Sequence, residues 1–294
     1  MQENIKKKKF YILGGSGFMG GEIVKYLKSR GHQVFSDKID VSNFSALLAK
    51  LNETKPEVVV NFTGVRAYPN IDWCENNKEE TVKINVGGAI NATLAAIKAG
   101  AYPIQISSGC IYSGGTDVEF TEESEPNFFG SFYSRMRIIM QNALKEIPVL
   151  QVRIRMPIAT FSHPRNLINK IISYPKIISI PNSITFLEDL WPALEKLAVL
   201  KPTGILNLTN DGYLNHAQIL EVYKKIVDPN HKYTIISLDE LQGVGGITKA
   251  KRSNCLLSNA KAKSLGLNLP AIDNKKLEEI MVAFKKSLLN EAIK

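Results

Sequence analysis

Short apolar runs alternate with amphipathic stretches along the first 155 residues. The apolar runs predict strands at Phe10–Leu13, Gln33–Ser36, Glu57–Asn61, Ile104–Ser107 and Val149–Arg153. The amphipathic stretches predict helices at Gly17–Arg30, Phe44–Leu51, Thr81–Ala99 and Phe132–Glu146. Ser42 is the expected N-cap of the second helix. Strands separated by helices are typical of βαβ units, so the pattern predicts a Rossmann-type, doubly wound parallel sheet.

The pattern changes after Pro157, where elements become shorter and prolines more frequent. Helices are expected at Asn166–Ser173, Leu187–Val199, Ala217–Val227 and Lys275–Asn290, and strands at Ile177–Ile180, Gly204–Leu208 and Thr234–Ser237. We therefore predict an α/β protein with one domain over residues 1–157. A smaller mixed α/β region over residues 158–294 is interleaved with the first domain.

Composition narrows the protein class. The 294 residues are 44% hydrophobic and 22% charged, which is typical of a globular protein and excludes a wholly disordered or fibrous chain. The three cysteines form no C-x-x-C pair, and the four histidines show no ligand spacing, so no metal site is expected. No apolar stretch approaches the roughly 18–20 residues of a membrane span. We expect a cytoplasmic protein.

The net charge of +9 suggests an anionic partner, but its distribution excludes most of the possibilities. Residues 1–30 carry +5, residues 249–294 carry +6, and the residues between them sum to −2. No basic stripe crosses the middle of the chain, so neither nucleic acid nor a membrane surface is an expected partner.

A glycine-rich segment follows the first predicted strand and opens the first predicted helix. Its glycines at Gly14, Gly17 and Gly20 allow a tight turn and close approach of the backbone to a pyrophosphate. The helix start offers free N–H groups to the same phosphates. This context favours dinucleotide binding over a purely structural turn.

The second strand leads into Asp37 and Lys38. A carboxylate at this point binds the ribose hydroxyls of NAD, whereas a cation accommodates the additional phosphate of NADP. The two residues favour opposite cofactors, and this feature alone leaves the choice open.

Three polar groups point to carbonyl reduction. Ser108 lies at the end of a predicted parallel strand, the edge at which open α/β sheets bind ligands. Tyr133 and Arg137 are four residues apart and therefore share one helix face. A tyrosine that donates a proton, a serine that binds the same oxygen and a nearby cation suit the reduction of a ketone.

These features together resemble the extended short-chain dehydrogenase/reductase superfamily. Within it, the chain is most similar to the single-chain nucleotide-4-keto-6-deoxyhexose 3,5-epimerase/4-reductases. The resemblance covers most of the chain and depends on the segments Gly64–Arg66, Pro69–Glu75, Gly109–Ile111, Pro126–Ser134, Arg153–Ile158, Pro164–Asn166, Ile180–Ser183 and Arg252–Asn254.

The resemblance implies a role for particular residues. Ser108, Tyr133 and Arg137 would carry out reduction, and Cys110 and Lys170 would be the acid/base pair of epimerisation. The cofactor would contact Gly14, Gly17, Phe18, Met19, Gly20, Asp37, Lys38, Asp40, Thr63, Gly64, Val65, Ser107, Tyr133, Arg137, Met156, Pro157 and Ile158. The substrate would contact Arg66, Asn70, Ser108, Cys110, Arg165, Asn166, Lys170, Ile180, Pro181, Asn182 and Arg252. Residues 1–157 would thus bind the dinucleotide and residues 158–294 the nucleotide sugar.

The expected activity is NADPH-dependent conversion of UDP- or dTDP-4-keto-6-deoxyglucose to the corresponding nucleotide-L-rhamnose. The family favours NADP(H) over NAD(H), and it implies a homodimer that acts after a 4,6-dehydratase. One departure is important: the family pattern Tyr-x-x-x-Lys has Arg137 in its last place, and arginine has a larger, planar head group. This departure makes a non-catalytic NADP-binding subunit an alternative. A reductase without epimerase activity is a further alternative.

Overall fold

The computed structural model describes residues 6–65 and 70–292. The strands among these residues are β1 (Lys9–Leu13), β2 (Gln33–Phe35), β3 (Val58–Asn61), β4 (Tyr102–Ser108), β5 (Glu119–Phe120), β6 (Leu150–Ile154), β7 (Pro157–Ile158), β8 (Lys176–Ile177), β9 (Thr185–Phe186), β10 (Gly204–Asn207), β11 (Thr234–Ile235) and β12 (Leu256–Leu257). The α-helices are α1 (Phe18–Ser29), α2 (Phe44–Thr54), α3 (Asp72–Asn76), α4 (Lys78–Val82), α5 (Ala89–Lys98), α6 (Phe132–Ala143), α7 (Leu167–Ile172), α8 (Leu187–Leu200), α9 (His216–Ile226), α10 (Leu238–Gln242), α11 (Ala260–Ser264) and α12 (Asn274–Ala292).

The chain forms two compact units. The first contains the described residues up to Ile111, together with Pro126–Arg153 and Trp191–Leu206. The second contains Tyr112–Glu125, Ile154–Leu190 and the described residues from Asn207 onward. Two segments belong to other units than the predicted boundary at residue 157 implies. Residues 191–206 group with the first unit because they lead into β10 of its sheet, and residues 112–125 group with the second because β5 pairs with β12.

The first unit is built on a six-stranded sheet with the order β10-β6-β4-β3-β1-β2. Strand β1 pairs in parallel with both β2 and β3, and β3 pairs in parallel with β4. All four residues of β3 are buried, as expected for a strand covered on both faces. The predicted α/β fold with a parallel central sheet is confirmed.

The side chains of β1 alternate between the two faces of the sheet, and each face has its own apolar contacts. Tyr11 and Leu13 pack in one cluster with Leu47 and Leu51 of α2 and with three alanines of α5. Successive side chains of a strand point to opposite faces, so Phe10 faces the other side, where its ring meets His32 at 5.0 Å between centroids.

A buried carboxylate joins α8 to α1 and to the turn after α1. Glu195 is 3% exposed and accepts hydrogen bonds from Tyr26 Oη at 2.7 Å, His32 Nε2 at 2.8 Å and Arg30 Nε at 3.2 Å. His32 Nδ1 accepts from the backbone N–H of Lys8 at 3.1 Å, so the proton lies on Nε2. Burial opposes ionisation, but these hydrogen bonds and the Arg30 charge outweigh it, and the pKa of Glu195 falls below its usual value.

The second unit has shorter elements around its own core. Its strands form two-residue parallel pairs, β7 with β9, β8 with β11 and β5 with β12. The core cluster combines side chains of α7, α9 and α12, among them Ile168, Ile171, Tyr223, Met281 and Phe284. Such short strand pairs cannot bury a face of their own, so the helices supply most of the apolar contact.

Two local predictions are wrong. Asn43, not Ser42, caps α2, because its Oδ1 accepts from the Ala46 N–H at 3.0 Å while the Ser42 hydroxyl donates to Asp40. The long helix predicted over Thr81–Ala99 is interrupted by a π-helical segment at Lys83–Gly88. A side chain at Gly88 would also collide with Val41, since a Cβ there would lie 2.5 Å from Val41 Cγ2.

Among the described residues, no helix has the length and apolar character that crossing a membrane requires. The same part of the chain contains no group of three or more acidic, histidine or cysteine side chains suited to a metal ion.

Replacing Glu195 with glutamine should lower the free energy of unfolding by about 1–3 kcal/mol at pH 7, because buried donors lose their charged acceptor. A lowered folded-state pKa means that this stabilisation is complete above the unfolded-state value of about 4.3 and is lost as the pH falls through the folded-state value. Urea unfolding should therefore show a smaller difference in the free energy of unfolding between wild type and variant at about pH 3.5 than at pH 7. The control Glu53→Gln, at an exposed surface pair, should change stability by less than about 0.5 kcal/mol. An equal advantage at both pH values would contradict this assignment.

Candidate active site

The glycine loop is closely packed. Gly14 has φ +78°, and its carbonyl accepts from the Gly17 N–H at 2.9 Å. A Cβ on Gly20 would lie 2.2 Å from the Gly14 carbonyl oxygen, so α1 packs directly on the turn. Gly17 precedes the helix without a side chain to cap it. A helix start without a side-chain cap is a position at which proteins bind anions, including the pyrophosphate of a dinucleotide.

The acids after β2 have partners within the first unit. Asp37 Oδ2 lies 3.3 Å from Tyr11 Oη and 3.6 Å from Lys50 Nζ. Asp40 accepts from the backbone N–H and the hydroxyl of Ser42, and these bonds lower its pKa. Asp40 therefore shapes the turn before α2, and Lys38 beside it is exposed.

Two buried asparagines shape the loop after β3. Asn61 Oδ1 accepts from the N–H and the hydroxyl of Thr63, at 2.9 and 2.6 Å. Asn85, in the π-helical segment, pairs with both backbone groups of Val65 at 2.8 Å each. π-helical turns often mark functional positions, and here the turn presents an amide to the loop. The sequence analysis did not select Asn85. A polar residue shortly before two glycines inside a predicted helix is the feature that could have identified it. Arg66 lies outside the described residues.

The segment after β4 is fastened to the start of α6. Ser107 and Ser108 end β4, and the Cys110 N–H donates to Ser108 Oγ at 3.2 Å. The Ser134 hydroxyl donates to the Cys110 carbonyl at 2.5 Å. Cys110 is partly exposed, whereas the other two cysteines are buried. Ser134, which sequence reasoning did not select, thus places Cys110 beside the helix turn that carries Tyr133.

Tyr133 and Arg137 meet as their spacing predicts. Arg137 Nε donates to Tyr133 Oη at 3.1 Å, and both side chains are buried. The start of α6 is held by Glu75, whose carboxylate accepts from the Phe132 N–H at 2.6 Å. A Cβ on Gly64 would lie 2.7 Å from Arg137 Nη2, so the guanidinium occupies space that only glycine leaves open. The structure therefore places a cation on the phenolic oxygen.

Asn166 and Lys170 of the second unit lie one turn apart on α7. Asn166 is fully buried; its Oδ1 accepts from Ile168 N–H at 3.3 Å, and its Nδ2 donates to Ala159 and Phe161 carbonyls at 3.0 and 2.8 Å. Asn166 thus fixes the helix that carries Lys170, which is partly exposed. The preceding residue, Arg165, is exposed.

The Asn182 side chain connects four separate groups of the second unit by hydrogen bonds. Its Oδ1 accepts from Arg155 Nε at 3.1 Å and from the Cys255 N–H at 3.0 Å. Its Nδ2 donates to the Ile180 carbonyl at 3.2 Å and to Asn254 Oδ1 at 3.0 Å. These bonds use the amide fully and hold the backbone at Ile180 and Pro181. Sequence reasoning missed Arg155, which is 2% exposed.

The remaining predicted residues lie at loops and strand ends. Arg252 is partly buried, and its guanidinium donates to the Ala250 carbonyl at 2.7 Å. Met156 has φ +39°, which strains a residue other than glycine, and Pro157 and Ile158 form β7. Phe18 and Met19 open α1, and the Asn70 side chain accepts from the Asp72 N–H at 2.8 Å. Cys110 belongs to the first unit and Lys170 to the second.

Comparison with known proteins shows what the chain is similar to. It is 35% identical over 286 residues to an Arabidopsis thaliana protein named bifunctional dTDP-4-dehydrorhamnose 3,5-epimerase/dTDP-4-dehydrorhamnose reductase, covering 95% of this chain and 94% of that one. The crystal structure of the L780 UDP-rhamnose synthase from Acanthamoeba polyphaga mimivirus superposes with a TM-score of 0.88 at 33% identity, over 95% of this chain and all of that chain.

The chain also matches one part of larger proteins. A trifunctional 4,6-dehydratase/3,5-epimerase/reductase of Arabidopsis thaliana is 36% identical over 263 residues, which cover 87% of this chain. The chain spans 39% of that relative's length. The family model described as the RmlD substrate binding domain matches residues 8–175, more than half of the sequence. On this match and on its similarity to the bifunctional relative, the chain belongs to the RmlD substrate-binding domain family.

Proposed function

We propose that this protein is an NADPH-dependent 3,5-epimerase/4-keto-reductase that makes UDP- or dTDP-L-rhamnose from the 4-keto-6-deoxyglucose nucleotide. The observation that carries the proposal is the 3.1 Å contact of Arg137 Nε with Tyr133 Oη, because it retains a cation on the proton donor despite the missing lysine. The names of the bifunctional and UDP-rhamnose synthase relatives support the same chemistry.

The glycine loop fits a dinucleotide. A Cβ on Gly15 or Gly20 would lie 1.7 or 2.2 Å from its nearest neighbour, and no side chain caps the start of α1, where a helix can bind a pyrophosphate. The loop over Thr63–Val65 and the segment Met156–Ile158 would hold the remainder of the cofactor. A dTDP-4-dehydrorhamnose reductase of Bacillus anthracis, 18% identical with a TM-score of 0.78, was solved in complex with NADP. When bound, the reduced nicotinamide supplies hydride to C4 of the sugar.

Ser108 and Tyr133 serve the C4 oxygen in reduction. Their hydroxyls donate hydrogen bonds to it, and Tyr133 transfers its proton to the alkoxide that develops there. Arg137 stabilises the tyrosinate that this transfer leaves behind. Because the guanidinium is buried, its attraction for the phenolate is little screened by solvent.

Cys110 and Lys170 serve epimerisation. The C4 ketone acidifies the protons on C3 and C5, so the Cys110 thiolate removes the proton of one carbon at a time and becomes a thiol. The electron pair moves onto the C4 oxygen, where Ser108 and Tyr133 stabilise the enolate. The Lys170 ammonium returns a proton to the opposite face of the carbon. Proton exchange with water restores the thiolate and the Lys170 ammonium before the second carbon reacts.

A 4,6-dehydratase must supply the substrate, because the enzyme needs a keto group at C4 and a deoxy carbon at C6. The trifunctional relatives support this order, since their names place a 4,6-dehydratase in the same chain. The homodimer, the cytoplasmic location and the choice between UDP and dTDP stay predictions.

Removal of the cation at position 137 should strongly slow reduction. Arg137→Met should lower kcat for NADPH oxidation with the keto sugar by about 100-fold or more, whereas Arg137→Lys should remain within about ten-fold of wild type. The assay follows NADPH absorbance, and a separate fluorescence titration confirms that each variant binds NADPH. If the wild-type protein binds NADPH but neither it nor Arg137→Lys turns over either keto sugar, the chain is a binding subunit and the proposal is wrong.

Cys110→Ala should block epimerisation without affecting cofactor binding. In D2O without NADPH, NMR of the keto sugar should show deuterium entering C3 and C5 with the wild-type protein, and at least about 100-fold more slowly with the variant. Cys255→Ala is the matched control, because it removes a buried thiol elsewhere and should leave exchange unchanged. Undiminished exchange in Cys110→Ala would assign the base to another residue, and no exchange with the wild type would favour a reductase without epimerase activity.

A further inference from the structure

The three residues after β2, Ser36 to Lys38, have side chains in different surroundings. Ser36 Oγ lies against the glycine loop, since a Cβ on Gly15 would be 1.7 Å from it. Asp37 instead reaches Tyr11 Oη at 3.3 Å and Lys50 Nζ at 3.6 Å. Lys38 is exposed. The group at the glycine loop is therefore a hydroxyl, and the carboxylate is engaged elsewhere.

Tyr11 and Lys50 are themselves held in place. The Tyr11 ring is fully buried in the cluster under α2 and stacks on Phe35 of β2 at 6.4 Å between centroids. Burial and the nearby Asp37 charge both raise the pKa of Tyr11, so its hydroxyl stays protonated and donates to Asp37. Lys50 lies on α2 and also pairs with Glu53 at 3.1 Å. Both residues draw Asp37 toward the α2 face of the sheet.

This arrangement affects the choice between the two nicotinamide dinucleotides. A free carboxylate at the end of the second strand binds the ribose hydroxyls of NAD and repels the 2′-phosphate of NADP. Here one oxygen of Asp37 already has a donor and a cation, so less of its charge acts on a ligand. The Ser36 hydroxyl and the Lys38 ammonium are the groups suited to a phosphate.

We propose that Tyr11 and Lys50 are positioning residues that set the cofactor preference toward NADP(H), because they hold Asp37 away from the ribose. This inference rests on the proposed function, since it concerns the cofactor of the same site. It assigns the preference to residues that need not touch the cofactor.

Dinucleotide binding without sugar substrate tests the proposal. Titrations followed by the fluorescence of NADPH and of NADH would give a dissociation constant for each. The wild-type protein should prefer NADPH, and Tyr11→Phe and Lys50→Gln should each reduce the NADPH-over-NADH affinity ratio by about five-fold. Tyr11→Phe is informative because it changes no charge, and Lys50→Gln is a surface change that should leave the fold intact. Lys98→Gln, at an exposed lysine of α5, should leave the ratio unchanged.

A double-mutant cycle separates positioning from direct binding. With Asp37→Asn in place, Tyr11→Phe and Lys50→Gln should each alter the ratio by less than about two-fold, because no carboxylate remains to hold. A five-fold loss of NADPH affinity from Lys50→Gln in that background would show that Lys50 binds the phosphate itself, and the proposal would be wrong. A ratio that stays constant in both single variants, or a wild-type protein that binds neither dinucleotide, would overturn it as well.

The outcome is separable from that of the proposed function. If the ratio shifts as expected but no keto sugar is reduced, the reductase proposal fails alone. If keto sugar is reduced and the ratio does not move, the role of Tyr11 and Lys50 fails alone.

Discussion

Buried backbone groups need hydrogen-bond partners, and the loops of this protein obtain them from asparagine side chains. A strand that ends inside the fold leaves N–H and C=O groups that no ladder satisfies. An asparagine amide supplies one acceptor and two donors in a short, rigid side chain, and so replaces a neighbouring strand. Buried asparagines that do this include Asn61, Asn85, Asn166, Asn182, Asn207, Asn210 and Asn254.

This constraint gives two predicted substrate contacts a supporting role in the structure as well. Asn166 and Asn182 lie in segments that resemble the nucleotide-sugar-binding parts of the family, yet their amides are used by protein atoms. Each is next to a candidate ligand contact. Lys170 lies one helical turn after Asn166, and Pro181 immediately precedes Asn182. A short, conformationally defined loop is useful in binding only if its backbone stays fixed, and the buried amides fix it.

The elements that the sequence predicts well are those with a clear local signal, either a run of apolar residues or an amphipathic period. Strand β3 (Val58–Asn61) follows from its run of apolar residues, and helix α6 (Phe132–Ala143) from its amphipathic pattern. Strands β5 and β12 have two residues each, too few to show a period, and they form because they pair with each other across a long stretch of chain. Helix α10 has five residues and depends on the local capping box of Ser237 and Glu240. The hydrogen bonds of the buried asparagines could not be predicted either, since Asn182 bonds to Asn254, which is 72 residues away in the sequence. By contrast, the Tyr133–Arg137 contact depends only on helix spacing, and it was predicted.

The arginine at position 137 shows how a local substitution is accommodated. Lysine would present a single ammonium to the phenolic oxygen, whereas arginine contacts Tyr133 through Nε at the side of its fork. The rest of the guanidinium must then lie farther out, and it does so against Gly64, where a Cβ would lie 2.7 Å from Nη2. Asn85 holds the adjoining Val65 backbone on both its N–H and C=O, so the loop cannot easily move aside. The residue types at positions 64 and 137 are therefore sterically coupled: a side chain at 64 would displace the guanidinium and with it the donor to the phenol.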